Sequence, residues 1–307
     1  MLPGYILRKA KLVEQGFAKG LSVFTLYFAQ AALLLYGFLQ EFDPAVFKRV
    51  CMALLMGILT HVLFYVMAKQ LFRKAPDRMR RVLQFGLVFS NAGYMGIPVI
   101  SDVFGPEYTI YATFYVVCFN VFAFSLGRLI YTDDKKYISL KESIINPAVI
   151  PIFIGFFIYL TGIGGWIQRT ILQPDFLGQA VKLFYNIIIT LKDMVAVTSM
   201  MIIGIRLADI DFKGILKDKY MYPFVALRLF LFPLVIWAIL RILNAVGFID
   251  ETVLAVVLIL CSTPAAAMTT MLAELYDGDA PYAGKLVALT TILSVATMPL
   301  VALLLKI

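Results

Sequence analysis

Apolar stretches long enough to cross a membrane recur along the whole chain, and they restrict its fold more than any other feature. An α-helix needs about 20 mostly apolar residues to span a bilayer. Of the 307 residues, 62% are hydrophobic and only 15% are charged, whereas soluble domains average about 25% charged residues. The pattern predicts an all-α, polytopic membrane protein with nine full spans, at 18–39, 47–68, 82–103, 108–131, 144–164, 183–205, 220–243, 252–275 and 285–305.

Most of these spans are uniformly apolar, so their ends are not sharply marked in the sequence. The stretch 166–182 contains Trp166 and Arg169 and is expected to be a loop or to lie at the membrane interface. Because proline is common at the first turn of a helix, Pro174 predicts a helix that begins at Asp175.

The basic residues predict how the chain is oriented in the membrane. Most of the 27 lysines and arginines fall in alternate loops, and basic loops stay on the cytoplasmic side. The loops around Lys19, Arg206 and Lys285 are therefore predicted to be cytoplasmic, and the C-terminus to lie outside the cell membrane. A net charge of +8 would also suit a nucleic-acid-binding protein. The charges are spread over separate loops, so we expect the protein to contact the lipid bilayer and no nucleic acid.

The spacing of the spans predicts two inverted repeats. Only seven residues precede the basic turn that begins at Arg8, too few to cross a bilayer. We expect them to be the inner end of a first span whose outer part is absent. With that span counted, residues 1–132 form a first repeat, 133–143 a cytoplasmic linker and 144–307 a second repeat. Each repeat then has five spans. Because five is an odd number, the second repeat is predicted to be inverted relative to the first, as in many secondary transporters.

Helix-breaking residues interrupt the fourth span of each predicted repeat. In lipid, a broken helix is tolerated only where protein or a water-filled cavity receives its free backbone groups. Paired breaks of this kind point to a transporter's binding site, and the free N–H groups of half-helices favour anions. The alternative is that kinks and small residues only serve helix packing. The predicted site residues are Asn91, Gly93, Tyr94, Gly96 and Pro98 in the first break, and Thr263 and Pro264 in the second.

Four ionisable residues within the spans are further candidates. Arg228 is a candidate ligand for an anion or partner for a carboxylate. The alternatives are that its side chain snorkels to the membrane interface or donates a hydrogen bond to the end of a helix. Asp193, Glu274 and His61 are candidates for ion coupling, His61 as a proton carrier. The alternatives are an interfacial Glu274 and a packing role for His61. Lys192 precedes Asp193, and adjacent helical residues do not face each other, so no good ion pair is expected between them.

The sequence lacks the patterns of an enzyme or a metalloprotein. It contains no HExxH, no GxSxG with its partners and no Walker loop. One histidine and three cysteines without ligand spacing predict no metal site and no cofactor. Without an ATP-binding loop, gradient-driven transport is the remaining way to power movement of a solute.

The segment 89–99, FSNAGYMGIPV, resembles the signature of the auxin efflux carrier family, which includes bacterial malate and malonate permeases and plant auxin carriers. The resemblance implies a ten-helix fold in which broken helices four and nine cross, a scaffold domain facing a mobile transport domain, elevator-like or rocking movement, and a homodimer through the scaffold half. Two departures are the nearly absent first helix and Val197, where many bacterial relatives have proline. Further segments match in order: 145–150, 199–208, Arg228-Leu229 followed by Pro233, and 261–266.

Taken together, these features predict a secondary active transporter, or permease, rather than an enzyme. Its substrates are expected to be small organic anions such as dicarboxylates, moved across the cytoplasmic membrane by alternating access around the two breaks. A proton or a sodium ion is the expected coupling ion. The alternative is a non-transporting membrane sensor or receptor that uses the same pocket. A third hypothesis, a membrane enzyme, is disfavoured because the sequence lacks the catalytic motifs named above.

Overall fold

The computed structural model describes residues 1–132, 150–209 and 217–305. This described part is all-α, as predicted, apart from one isolated β-bridge. The predicted linker 133–143 and the first residues of the predicted span 144–164 lie outside it. The helices, in chain order, are α1 (Leu2–Lys9), α2 (15–38), α3 (Pro44–Gln70), α4a (Asp77–Val88), α4b (Ala92–Phe104), α5 (Pro106–Thr132), α6a (Ile150–Leu160), α6b (Ile163–Thr170), α7 (Phe176–Ala208), α8 (Met221–Ala245), α9a (Glu251–Ser262), α9b (Met268–Leu275) and α10 (Ala280–Leu304).

Six helices of the described part, α2, α3, α5, α7, α8 and α10, are long and apolar enough to cross a membrane. A seventh span is counted if α6a and α6b, which are bent by 78°, cross together. The other two predicted spans, 82–103 and 252–275, are each built from two shorter helices on either side of a break. A multi-pass membrane protein is confirmed in this way, while the ten-helix inverted repeat and its boundaries stay predictions.

The stretch 166–182 is mostly helical rather than a loop, because α6b continues to Thr170 and α7 begins at Phe176. Gly162 explains the turn before it. Its φ of 74° is in the left-handed region, where glycine is favoured, and it lets the chain turn from α6a into α6b. The predicted helix start after Pro174 is confirmed, since Asp175 caps α7 by accepting a hydrogen bond of 2.7 Å from the Gly178 N–H.

The helices pack into two groups. The smaller bundle consists of α1, α2, α6a, α6b and α7, and the larger bundle consists of α3, α4a, α4b, α5, α8, α9a, α9b and α10. Contacts within each bundle are extensive. The main contacts between them are those of α2 with α5 and of α7 with α4b and α10. Each bundle takes helices from both halves of the chain, so the two bundles are not the two predicted repeats.

A buried hydrogen bond joins α2 to α7 in the centre of the smaller bundle. The Thr25 hydroxyl lies 2.8 Å from the Thr198 hydroxyl, and both side chains are buried. Thr25 begins a turn of π-helix, Thr25–Ala29, in which the widened backbone changes the face that α2 presents. The contact therefore fixes the register of α2 against α7, and both helices line the site described below.

We expect Thr198→Val to lower the free energy of unfolding by about 1 kcal/mol, because the Thr25 hydroxyl loses its partner in α7. Thermal unfolding of the purified protein in detergent measures this change. Thr190→Val on the same helix is the matched control, since its exposed hydroxyl bonds only to the Asn186 carbonyl of α7 itself. Equal unfolding temperatures for the two variants would contradict a stabilising role for the contact.

Candidate functional site

The two helix breaks lie side by side and pair through their backbones. The Asn91 N–H donates to the Pro264 carbonyl over 2.8 Å, and the Ala266 N–H donates to the Phe89 carbonyl over 2.9 Å. The two strands of this short bridge run antiparallel, the direction that the loop charges predict for the two spans. The bridge satisfies backbone groups that broken helices would otherwise leave unpaired inside a membrane.

Arg228 of α8 holds the ends of the helices that lead into both breaks. Its Nη1 donates to the Leu87 carbonyl near the end of α4a over 2.9 Å. Its Nη2 donates to the Cys261 and Thr263 carbonyls at the end of α9a, over 2.9 and 2.8 Å. The side chain is fully buried. A cation at the C-terminal ends of two helices is electrostatically favourable. Of the roles that the sequence leaves open for Arg228, this is the hydrogen bond to a helix end.

A cavity of about 180 Å³ lies between the two bundles, beside the bridge. Its walls are mainly apolar, with a few polar and charged side chains among them. From the smaller bundle, Lys19, Ser22, Val23, Tyr27, Ser199, Ile202, Ile203 and Arg206 line it; from the larger bundle, Asn91, Tyr94, Ala267, Met268, Met271 and Glu274 line it.

Asn91 forms the buried end of this cavity. It is 3% exposed, and its Nδ2 has no hydrogen-bond partner within the described part of the chain. Burying an amide donor without a partner costs about 1–3 kcal/mol, and the side chain that carries this donor also lines the cavity. Tyr94 lies one turn further along, in the π-turn Ala92–Gly96 that opens α4b.

The other predicted residues of the breaks lie outside the lining. A Cβ added to Gly93 would lie 2.6 Å from Gln30 Nε2, and one added to Gly96 would lie 2.5 Å from Leu260 Cδ2. The two glycines therefore permit close packing against α2 and α9a. Pro98 lies directly after the π-turn, at the start of the regular α-helical part of α4b, Ile97–Phe104. Thr263, Pro264 and Arg228 contribute through the backbone contacts already described.

Three charged residues form the mouth of the cavity: Lys19 of α2, Arg206 of α7 and Glu274 of α9b. The same three residues line an adjoining vestibule of about 600 Å³, which also has Lys285 and Asp209 in its walls. In the sequence, Lys19 and Arg206 are predicted only as charges of cytoplasmic loops. A signal for Arg206 exists, because Ser199 and Arg206 are seven residues apart and so share one face of α7.

Of the three candidate coupling residues, Glu274 alone lines the cavity as the structure describes it. His61 is buried among aromatic rings, with Nδ1 2.7 Å from the Gly57 carbonyl and the Tyr115 ring centroid 5.2 Å away. Asp193 lies on an exposed face of α7 and pairs with Lys192 over 2.5 Å. The sequence predicts no ideal pairing between these neighbours, and the structure nevertheless pairs them at the exposed surface. The described residues contain no metal-binding group of His, Cys, Asp and Glu.

We expect Arg228→Met to lower the free energy of unfolding by about 3 kcal/mol or more, because three buried carbonyls lose their donor. Thermal unfolding and size-exclusion chromatography in detergent measure this loss. Arg241→Met, on the same helix, is the control: Arg241 forms a partly exposed ion pair with Glu251, and such pairs contribute about 1 kcal/mol or less. Wild-type stability of Arg228→Met would contradict the role of Arg228 at the breaks.

Comparison with known proteins places this geometry in a family. The family model described as "Membrane transport protein" matches residues 1–142 and 134–302 of the chain. A search of curated proteins found none that matches. The family match confirms the resemblance to auxin efflux carriers that the segment 89–99 indicates. The chain therefore belongs to the membrane transport protein family of the auxin efflux carriers.

Proposed function

We propose that the protein is a secondary active transporter of small organic anions and that the cavity between the two bundles is its substrate site. The position of Asn91, a polar side chain in the cavity wall where the two breaks pair, is the observation that carries this proposal. At the mouth, Lys19 and Arg206 supply positive charge that favours an entering anion. The apolar walls of the cavity contact the carbon skeleton of the substrate.

The arrangement of the helices supports alternating access. Opposite walls of the cavity belong to different bundles, so a movement of one bundle against the other changes the shape and exposure of the site. The bridge and Arg228 keep both breaks within the larger bundle. The larger bundle accordingly carries Asn91 as a rigid unit in an elevator-like or rocking movement, while α2 and α7 form the stationary wall.

Malate-sized dicarboxylates are the first substrates to test, because the cavity of about 180 Å³ suits a small organic acid. The mouth lies at the ends of helices whose adjoining loops are predicted to be cytoplasmic, so this conformation is open to the cytoplasm. Glu274 is the candidate among the coupling residues, since it shares the cavity with the anion and a bound proton or sodium ion would reduce the repulsion between them.

We expect Asn91→Ala to lower kcat/KM for malate uptake into proteoliposomes by tenfold or more. The amide hydrogen bond to an anion contributes about 1.5–3 kcal/mol, and each 1.4 kcal/mol corresponds to a factor of ten. Asn91→Asp should abolish uptake, because it places a carboxylate where the anion binds. Uptake is measured with radiolabelled malate under an imposed proton or sodium gradient and normalised to the reconstituted protein.

Asn120→Ala is the matched control for this experiment. Asn120 is equally buried but bonds to the Val116 carbonyl of its own helix and lies outside the cavity lining. Its variant should keep near-wild-type uptake per folded protein. Equal uptake by Asn91→Ala and wild type across a panel of mono- and dicarboxylates would contradict the site. Ligand-induced thermal stabilisation without any uptake would favour the sensor instead.

A cross-link across the cavity tests the movement of the bundles. Tyr27 of α2 and Met271 of α9b line opposite walls. We expect a short bifunctional thiol reagent to inhibit uptake by the Tyr27→Cys, Met271→Cys variant, because it ties the two bundles together. Each single variant treated with the same reagent controls for blockage of the cavity. Full activity of a cross-linked double variant would contradict movement between the bundles.

A further inference from the structure

Arg206 and Glu274 face the same opening from different bundles. Both line the cavity and the vestibule, so an anion passing from one to the other meets both charges. Neither side chain forms an ion pair with a residue that the structure describes. The Nη1 of Arg206 is also without a hydrogen-bond partner in the same part of the chain. The two charges attract each other across the opening, but neither is neutralised by an ion pair within the described part of the chain.

The other charges at the opening leave Glu274 as its unpaired carboxylate. Asp209 also lines the vestibule, but its carboxylate is held by Arg8 at 2.8 and 3.1 Å. Lys19 and Lys285 add positive charge on the remaining walls. The entrance as described is cationic overall, and of its two acidic side chains only Asp209 is neutralised by an ion pair with a described residue. An entrance that only attracted anions would gain nothing from the carboxylate of Glu274, because that carboxylate repels them.

We propose that Arg206 and Glu274 form a charge filter that sets the relative affinity of the entrance for anions of different charge number. This charge filter rests on the proposed function only in that anions are taken as the solutes. Arg206 attracts each negative charge of a solute, and Glu274 repels each one. Two unit charges about 6 Å apart in a partly hydrated site change an equilibrium by roughly threefold to tenfold. A dianion therefore experiences the effect of Glu274 about twice, and a monoanion once.

A cysteine reporter measures this filter without requiring transport. Met271 lines the cavity on the same helix as Glu274, one turn before it, and is 37% exposed. In a Cys51→Ser background, which removes the exposed native cysteine, Met271→Cys is labelled with methanethiosulfonate reagents of similar size. One reagent carries an anionic sulfonate and the other a cationic trimethylammonium group. The ratio of their two reaction rates reports the local electrostatic potential.

We expect the anionic reagent to react faster than the cationic one at Met271→Cys. Glu274→Gln should raise the anionic-to-cationic rate ratio by about threefold to tenfold or more, and Arg206→Gln should lower it by a similar factor. Glu274→Asp and Arg206→Lys, which keep the charges, should stay close to the starting ratio. Asp277→Asn is the matched control, since Asp277 pairs with Arg78 and lies outside both linings.

An unchanged ratio in Glu274→Gln, an equal change in Asp277→Asn, or no labelling by either reagent would each overturn the charge filter. A second measurement compares inhibition of malate uptake by succinate and by its monomethyl ester, which have similar carbon skeletons and charges of −2 and −1. If the filter operates, Glu274→Gln should strengthen the inhibition by succinate more than the inhibition by its monomethyl ester. If the reporter ratios change as expected but no organic anion is taken up, the filter stands and the proposed transport fails.

Discussion

The hydrogen bonds of Arg228 are the interaction on which the rest of this structure depends. A buried guanidinium costs several kcal/mol unless its donors are used. Three backbone carbonyls at the ends of α4a and α9a accept from its two Nη atoms, while Nε has no partner among the described residues. Each hydrogen bond to a charged group returns about 1.5–3 kcal/mol. The same carbonyls would otherwise face a region without water. One side chain thus lets two helices stop in the middle of the larger bundle, and the antiparallel bridge can form between them.

Much of the fold could be predicted because lipid leaves the backbone few choices. Long apolar stretches must be helices, and the residues around Asn91 and Pro264 cannot continue one, so the positions of the spans and breaks are readable from the sequence. The charged loops supply the relative direction of the two broken helices. The cap at Asp175 follows from ordinary helix-start chemistry. Each of these inferences uses local sequence and one strong physical constraint.

The lining of the candidate site was harder to predict for a physical reason. α7 and the C-terminal part of α2 are only weakly amphipathic, so periodicity does not tell which of their residues face the cavity. Arg206 therefore reads as a loop charge although it lies at the mouth of the cavity. The break residues divide in a way that the sequence does not reveal: Asn91 and Tyr94 line the cavity, while Gly93, Gly96 and Pro98 support the packing behind it. Family resemblance marks the whole segment but does not separate these roles.

The contact between Gly93 and Gln30 has a consequence for how such a protein can change over time. Gly93 belongs to the larger bundle and Gln30 to the smaller one, and the space between them is less than one methyl group. If the bundles slide past each other, a side chain larger than glycine at position 93 would hinder that movement sterically. It need not change the affinity for the substrate. Substitutions there can leave substrate affinity unchanged and still lower the rate of transport. Essential positions should accordingly be of two kinds. Some contact the solute, and others are small residues at the interface between the bundles whose size permits the movement.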